Sequence, residues 1–125
     1  MTEYTFPANI GDHDYNVFPA ALESGPNIFF HGTSKIAFDK IKTEGFKHGP
    51  VLQSVSFIRT SPLSLRHACE KRSAESPNGA IIAVRFPEGN IRGIRRENEF
   101  LYLDNLSIQP EIVGYCIILG SYQFF

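Results

Sequence analysis

Hydrophobic and polar positions along this chain change period several times, and each change marks an element. Ile28-Phe29-Phe30 is a short apolar run that ends on His31-Gly32-Thr33-Ser34, the pattern of a buried strand opening into a helix. From Lys35 to Glu44 the apolar spacing becomes helical, with Ala37 and Ile41 four apart and Ile36 and Phe38 beside them. Gly45 stands where a left-handed C-cap is expected, and Phe46 follows as its hydrophobic contact. After a loop at Lys47–Pro50, Val51–Ile58 alternates, with Val55 and Phe57 on one face and Ser54 and Ser56 on the other. Ser61 as N-cap and Pro62 at the first helical position predict a second helix, fading near Ala74.

Ala80–Phe86 is an almost unbroken apolar run, the pattern of an interior strand. Pro87–Arg96 reads as a polar loop, Glu99–Leu103 as a strand, Leu106–Ile108 as a short strand and Ile112–Leu119 as a last strong one. Residues 1–27, broken by Pro7, Gly11, Pro19, Gly25 and Pro26, read as an N-terminal arm in which Tyr15, Val17, Phe18 and Leu22 pack on the body. The apolar tail residues Tyr122, Phe124 and Phe125 are expected to pack as well. Helices come early and strands late, which predicts one α+β domain over residues 1–125, with no internal repeat and no linker.

A chain of 125 residues is long enough for a true core, and 42% hydrophobic residues is ordinary for a globular domain. The net charge of −1 gives no overall field toward nucleic acid or an anionic membrane. The opening Met-Thr-Glu-Tyr lacks a basic, then apolar leader, and no apolar run would span a bilayer, so a cytoplasmic protein is expected. Cys69 and Cys116 lie in apolar contexts and read as reduced core residues, with one disulfide the alternative. His13, His31, His48 and His67 lack metal-ligand spacing, so no metal site is expected.

Candidate chemistry gathers around His31. A histidine ending a buried strand aims its ring past the sheet, and Gly32 lets a ligand approach the backbone. Thr33 or Ser34 is placed to cap the next helix. The order His-Gly-Thr, Glu-Gly-Phe, Ser-Val-Ser-Phe with Thr-Ser-Pro, a central apolar strand, then Glu-Asn-Glu-Phe-Leu-Tyr resembles the ADP-ribosyltransferase fold over roughly residues 28–118. That fold is the NAD-binding split β-sandwich of poly(ADP-ribose) polymerases, mono-ADP-ribosylating toxins and rifampin ADP-ribosyltransferases, here with two short helices packed on the sheets.

The resemblance implies roles residue by residue. His31 would bond the adenosine ribose of NAD, Gly32 would hold the nicotinamide carboxamide by its backbone, and Thr33 or Ser34 would stand near a ribose. The two tyrosines that sandwich nicotinamide in the polymerase branch are replaced, by Ser56-Phe57 on the strand and by His67 on the helix, so Phe57 or His67 would supply the flat face. Glu99 would be the catalytic glutamate, stabilising positive charge on the ribose as nicotinamide leaves. Glu97, two residues earlier, resembles the acceptor-binding glutamate of arginine-modifying transferases, although His31 stands where that branch has arginine. Arg92, Arg95 and Arg96 would attract pyrophosphate or an anionic acceptor, or form plain surface.

The implied function is mono-ADP-ribosyl transfer from NAD to an unknown protein or small-molecule acceptor, with no metal and no membrane partner. The alternatives are a non-catalytic NAD, ADP-ribose or protein-binding module on the same fold, a rifampin-type small-molecule transferase, and an NAD glycohydrolase acting as a toxin.

Overall fold

A computed structural model describes residues 1–7, 16–47 and 54–123. The predicted starts of the loop and strand at His48–Gln53, with Tyr15, Phe124 and Phe125, lie outside the described residues. The elements are β1 (Thr2–Tyr4), α1 (Ala20–Glu23), β2 (Ile28–Ser34), α2 (Lys35–Glu44), β3 (Val55–Ile58), α3 (Ser61–Glu70), β4 (Gly79–Arg85), β5 (Ile94–Glu97), β6 (Phe100–Leu103) and β7 (Glu111–Ile118). The strands form one seven-stranded mixed sheet in the order β1-β7-β4-β2-β3-β6-β5. Only the β1–β7 pair among these is parallel. The α+β class therefore stands.

The sheet narrows to a waist between β2 and β3. β2 pairs with β4 along its whole length, from Ile28↔Arg85 to Ser34↔Gly79. It meets β3 at the single register pair Phe30↔Ile58. Beyond that waist, Val55 and Phe57 of β3, Leu101 and Leu103 of β6 and Ile94 of β5 share one core with Phe29, Ala80, Ile82 and Val84 of the larger half. Phe38 and Phe46, from α2 and the residue after its cap, close that core. The alternation along β2 sends Phe30 to the opposite face, where it packs with Leu65 and Ala68 of α3 and with Ile81, Ala83, Cys116 and Ile118. Each of the two longer helices thus covers one face of the sheet.

α3 crosses β2 so closely that a Cβ on Gly32 would lie 2.1 Å from the Ser64 carbonyl oxygen and 2.8 Å from the Ala68 nitrogen. On that side the missing side chain of Gly32 serves helix packing. Gly45 ends α2 where the sequence predicts, its N–H bonded to the Ile41 carbonyl, but with φ +79 and ψ 178 it has the positive φ open to glycine without the expected left-handed helical conformation.

Several expectations are corrected. The N-cap of α3 is Thr60, not Ser61, and Pro62 falls one position later than predicted. Ser61 is drawn inward instead: its Oγ accepts the Val17 N–H and donates to the Glu23 carboxylate, tying the N-terminal segment to the helix. α3 ends at Glu70, earlier than Ala74. The loop expected at Pro87–Arg96 contains the start of β5, a strand hard to see because Arg95, Arg96 and Glu97 are charged and only Ile94 is buried. Leu106–Ile108 is a turn, held by the Asn105 side chain accepting from both the N–H and the hydroxyl of Ser107. Thr2–Tyr4 adds a strand to the predicted arm.

Candidate functional site

Where β2 and β3 diverge, a cavity of about 410 Å³ opens, a size in the range of small-molecule sites. Its wall includes Ser56 and Ile58 from β3 and His31, Gly32 and Thr33 from β2, which pairs with β4 as far as Ser34, so that His31, expected to end the strand, stands at its middle. Ala37, Lys40, Ile41 and Glu44 line it from α2, and His67 and Lys71 from the end of α3. The α2 residues are spaced three and four apart, so one helix face serves the cavity.

His31 shapes the waist. Its Nδ1 lies 2.8 Å from the Ser56 carbonyl oxygen. A carbonyl only accepts, so Nδ1 carries the proton and donates, leaving Nε2 as the acceptor in the neutral ring. Through this bond the His31 side chain ties β2 to β3 beyond their register pair Phe30↔Ile58. Phe46 and Phe57 hold the ring, with centroids 5.5 and 5.4 Å away. Burial lowers the His31 pKa below 6.5; the Ser56 bond opposes that shift, and the positive fields of His67 and Lys71 add to it. Near neutral pH the ring is therefore a neutral hydrogen-bonding group.

The remaining predicted residues separate into two groups. Gly32, Thr33 and His67 line the cavity with His31. Ser34, not Thr33, caps α2, its Oγ accepting the Ala37 N–H at 3.1 Å. Thr33 is thereby left free of the cap: it is 9% exposed, and its hydroxyl has no hydrogen-bond partner among the described residues.

Phe57, Glu99 and Glu97 are not in the cavity wall. Phe57 is fully buried, its ring against Phe46 and Phe86 as well as His31, so it supports the histidine from behind. Glu99 is exposed on the β5–β6 turn, after Asn98 at φ 56, and its carbonyl accepts the Arg59 N–H. Glu97 pairs with Arg95 at 3.1 Å; Arg95 also binds Asp104 and lies over the Tyr102 ring. Arg96 is spent on the Pro87 and Gly89 carbonyls. These arginines are surface and loop ties, and neither Arg95, Arg96 nor Arg92 lines the cavity.

Sequence reasoning missed Lys40, Glu44 and Lys71, although their signal was present: Lys40 and Glu44 continue the Ala37–Ile41 face, and Lys71 follows His67 by four. It also missed Gln109, whose amide oxygen accepts the Phe46 N–H and whose amide nitrogen donates to the Phe46 carbonyl, pinning the cavity's aromatic wall from 63 residues away. Nothing local reveals such a tie.

The two cysteines are free thiols, and burial pushes Cys116 up to about 12, so it is inert at neutral pH. Among the described residues no helix is long and apolar enough to cross a membrane. Fold and site together define an α+β protein whose divided sheet encloses a ligand-sized cavity with cationic walls. No protein-family model, curated protein or solved structure matches the chain.

Proposed function

We propose that this chain is an NAD-dependent mono-ADP-ribosyltransferase on an ADP-ribosyltransferase-type split β-sandwich. The observation that carries the reading is the cavity at the sheet's waist, with His31 and Gly32 of the His-Gly-Thr segment in its wall. A neutral His31 accepts a ribose hydroxyl at Nε2 while Nδ1 stays committed to Ser56. The amide edge of the cavity near Gly32 is the place for the nicotinamide carboxamide, with the His67 ring as its flat neighbour. In the reaction the bond from the ribose carbon to nicotinamide breaks, and nicotinamide leaves with the electron pair. The acceptor then supplies a new pair and releases its proton. A single carboxylate suffices, since the leaving group is already cationic and needs no protonation. Glu99 is the carboxylate assigned to that role, stabilising the ribose cation.

The position of Glu99 on an exposed turn, outside the cavity wall, favours a second reading: binding of NAD or ADP-ribose without turnover. One experiment separates the two. Nicotinamide release from NAD, with cell lysate as acceptor, is measured for the wild type and Glu99→Gln, with calorimetric NAD binding on both. The transferase reading expects release that Glu99→Gln abolishes while binding survives. Binding without release establishes the second reading. Absence of NAD binding removes both.

A further inference from the structure

We propose that the cavity is a receptor for a diphosphate-bearing ligand, gripped between Lys40 of α2 and Lys71 of α3. The wall holds three lysines, Lys40, Lys47 and Lys71, against one carboxylate, Glu44. Glu44 is already engaged by Lys47 at 2.9 Å. A hydrogen bond from Lys47, and then its charge, keep Glu44 below the ordinary carboxylate range. Counting lysines and carboxylates alone, two positive charges remain in excess, in a chain whose net charge is −1. Neither Lys40 nor Lys71 makes an ion pair or side-chain hydrogen bond among the described residues, although the charge of Lys40 is felt at Glu44, whereas Lys35 and Lys42, on the same helix as Lys40 but outside the wall, both pair with Asp39.

Two further observations point the same way. The charge of Lys71 is felt at His31, whose pKa it lowers, so its field reaches the cavity interior. The Thr33 hydroxyl, nine-tenths buried in the wall and without a partner among the described residues, is a ready donor for a phosphate or hydroxyl oxygen. Unpaired cations on two helices, facing one cavity with an unsatisfied buried donor, match two adjacent anionic groups better than one. The inference rests on this cavity being the ligand site, and not on the ligand being NAD.

The test is calorimetry with ADP-ribose, ADP, inorganic pyrophosphate and, as the uncharged comparison, adenosine. The proteins are the wild type, Lys40→Gln, Lys71→Gln, the double variant, and Lys42→Gln as a control cation outside the wall. All substituted lysines are exposed, and thermal melts confirm that each variant is folded. The expected result is about tenfold weaker binding of ADP and ADP-ribose for each single cavity variant and a larger loss for the double. Lys42→Gln and adenosine binding are unaffected, and added salt weakens the phosphorylated ligands alone. Lysine-dependent binding of ADP or pyrophosphate with no binding of NAD sustains this inference and defeats the transferase reading. Equal affinities for the wild type and the double variant overturn it. So does failure of every phosphorylated ligand to bind at millimolar concentration.

Discussion

The two halves of the sheet are built differently. β7, β4 and β2 are strands of seven or eight residues in extended ladders, and β4 is buried at every position up to Val84. β3, β6 and β5 have four residues each; β6 alternates strictly, burying Leu101 and Leu103 and turning Phe100 and Tyr102 outward. The first half is covered on both faces by apolar packing; the second contributes one inner face to a shared core and leaves charged Arg95, Arg96 and Glu97 in solvent. Long ladders with two buried faces resist opening, and short ones with one buried face open at lower cost. The cavity lies at the joint, where the ladder is weakest and a gap costs the fewest backbone hydrogen bonds.

That contrast can be broken most severely through Phe57, which joins the halves from the inside. Phe57→Ala is expected to lose about 4 kcal/mol of stability in denaturant unfolding. Its amide exchange should rise first in β3, β5 and β6, ahead of β4 and β7. Uniform acceleration across all seven strands would mean that the halves unfold as one.

Gly32→Ala strikes the other side of the waist. The added carbon meets backbone of α3, which cannot rotate away, so a loss of about 3 kcal/mol is expected in the same unfolding measurement. Retained stability would show that α3 lifts off β2 at little cost.

His31→Phe keeps an aromatic ring but removes the donor to Ser56, with an expected loss of about 1–2 kcal/mol. It also has a pH signature. The folded pKa of His31 lies below the unfolded value near 6.5, so between the two the unfolded chain binds more protons and stability rises with pH. The stabilisation from keeping this ring neutral is therefore complete above about 6.5 and is lost as pH falls through the lowered value. Urea unfolding at pH 7.5 and 5 should show a smaller acid loss for His31→Phe than for the wild type. Parallel losses would remove His31 as the titrating group.

The smallest effects compare the helix starts on the two sheet faces. Ser34→Ala removes a true cap bond from α2, worth about 1 kcal/mol in a thermal melt. Thr60→Ala, at the start of α3, removes no side-chain cap bond, so a change within about 0.5 kcal/mol is expected. Equal losses would show that Thr60 is held by something other than a cap.

Much of the architecture is written in local patterns. The apolar runs at Ile28–Phe30 and Ala80–Val84, the helical spacing of Ala37 and Ile41, and Gly45 at the helix end all specify elements through neighbours a few residues away. β5 escaped because one buried residue among three charged ones has no period to detect, and β1 because three residues are too few. For the site, His31, Gly32 and His67 were legible as candidates and do meet in one cavity.

Pattern alone determined the longer strands and helices and their apolar faces, although it missed β1 and β5, made Leu106–Ile108 a strand, and ended β2 at His31, which stands midway along a strand that runs on to Ser34. Tertiary structure decided the waist at Phe30↔Ile58, the removal of Phe57 from the cavity into the core behind His31, and the convergence of Lys40 and Lys71 from separate helices. The physical reason is range. Period and capping act through residues within one turn or one pleat, whereas strand divergence and cavity charge depend on which distant surfaces the core brings together.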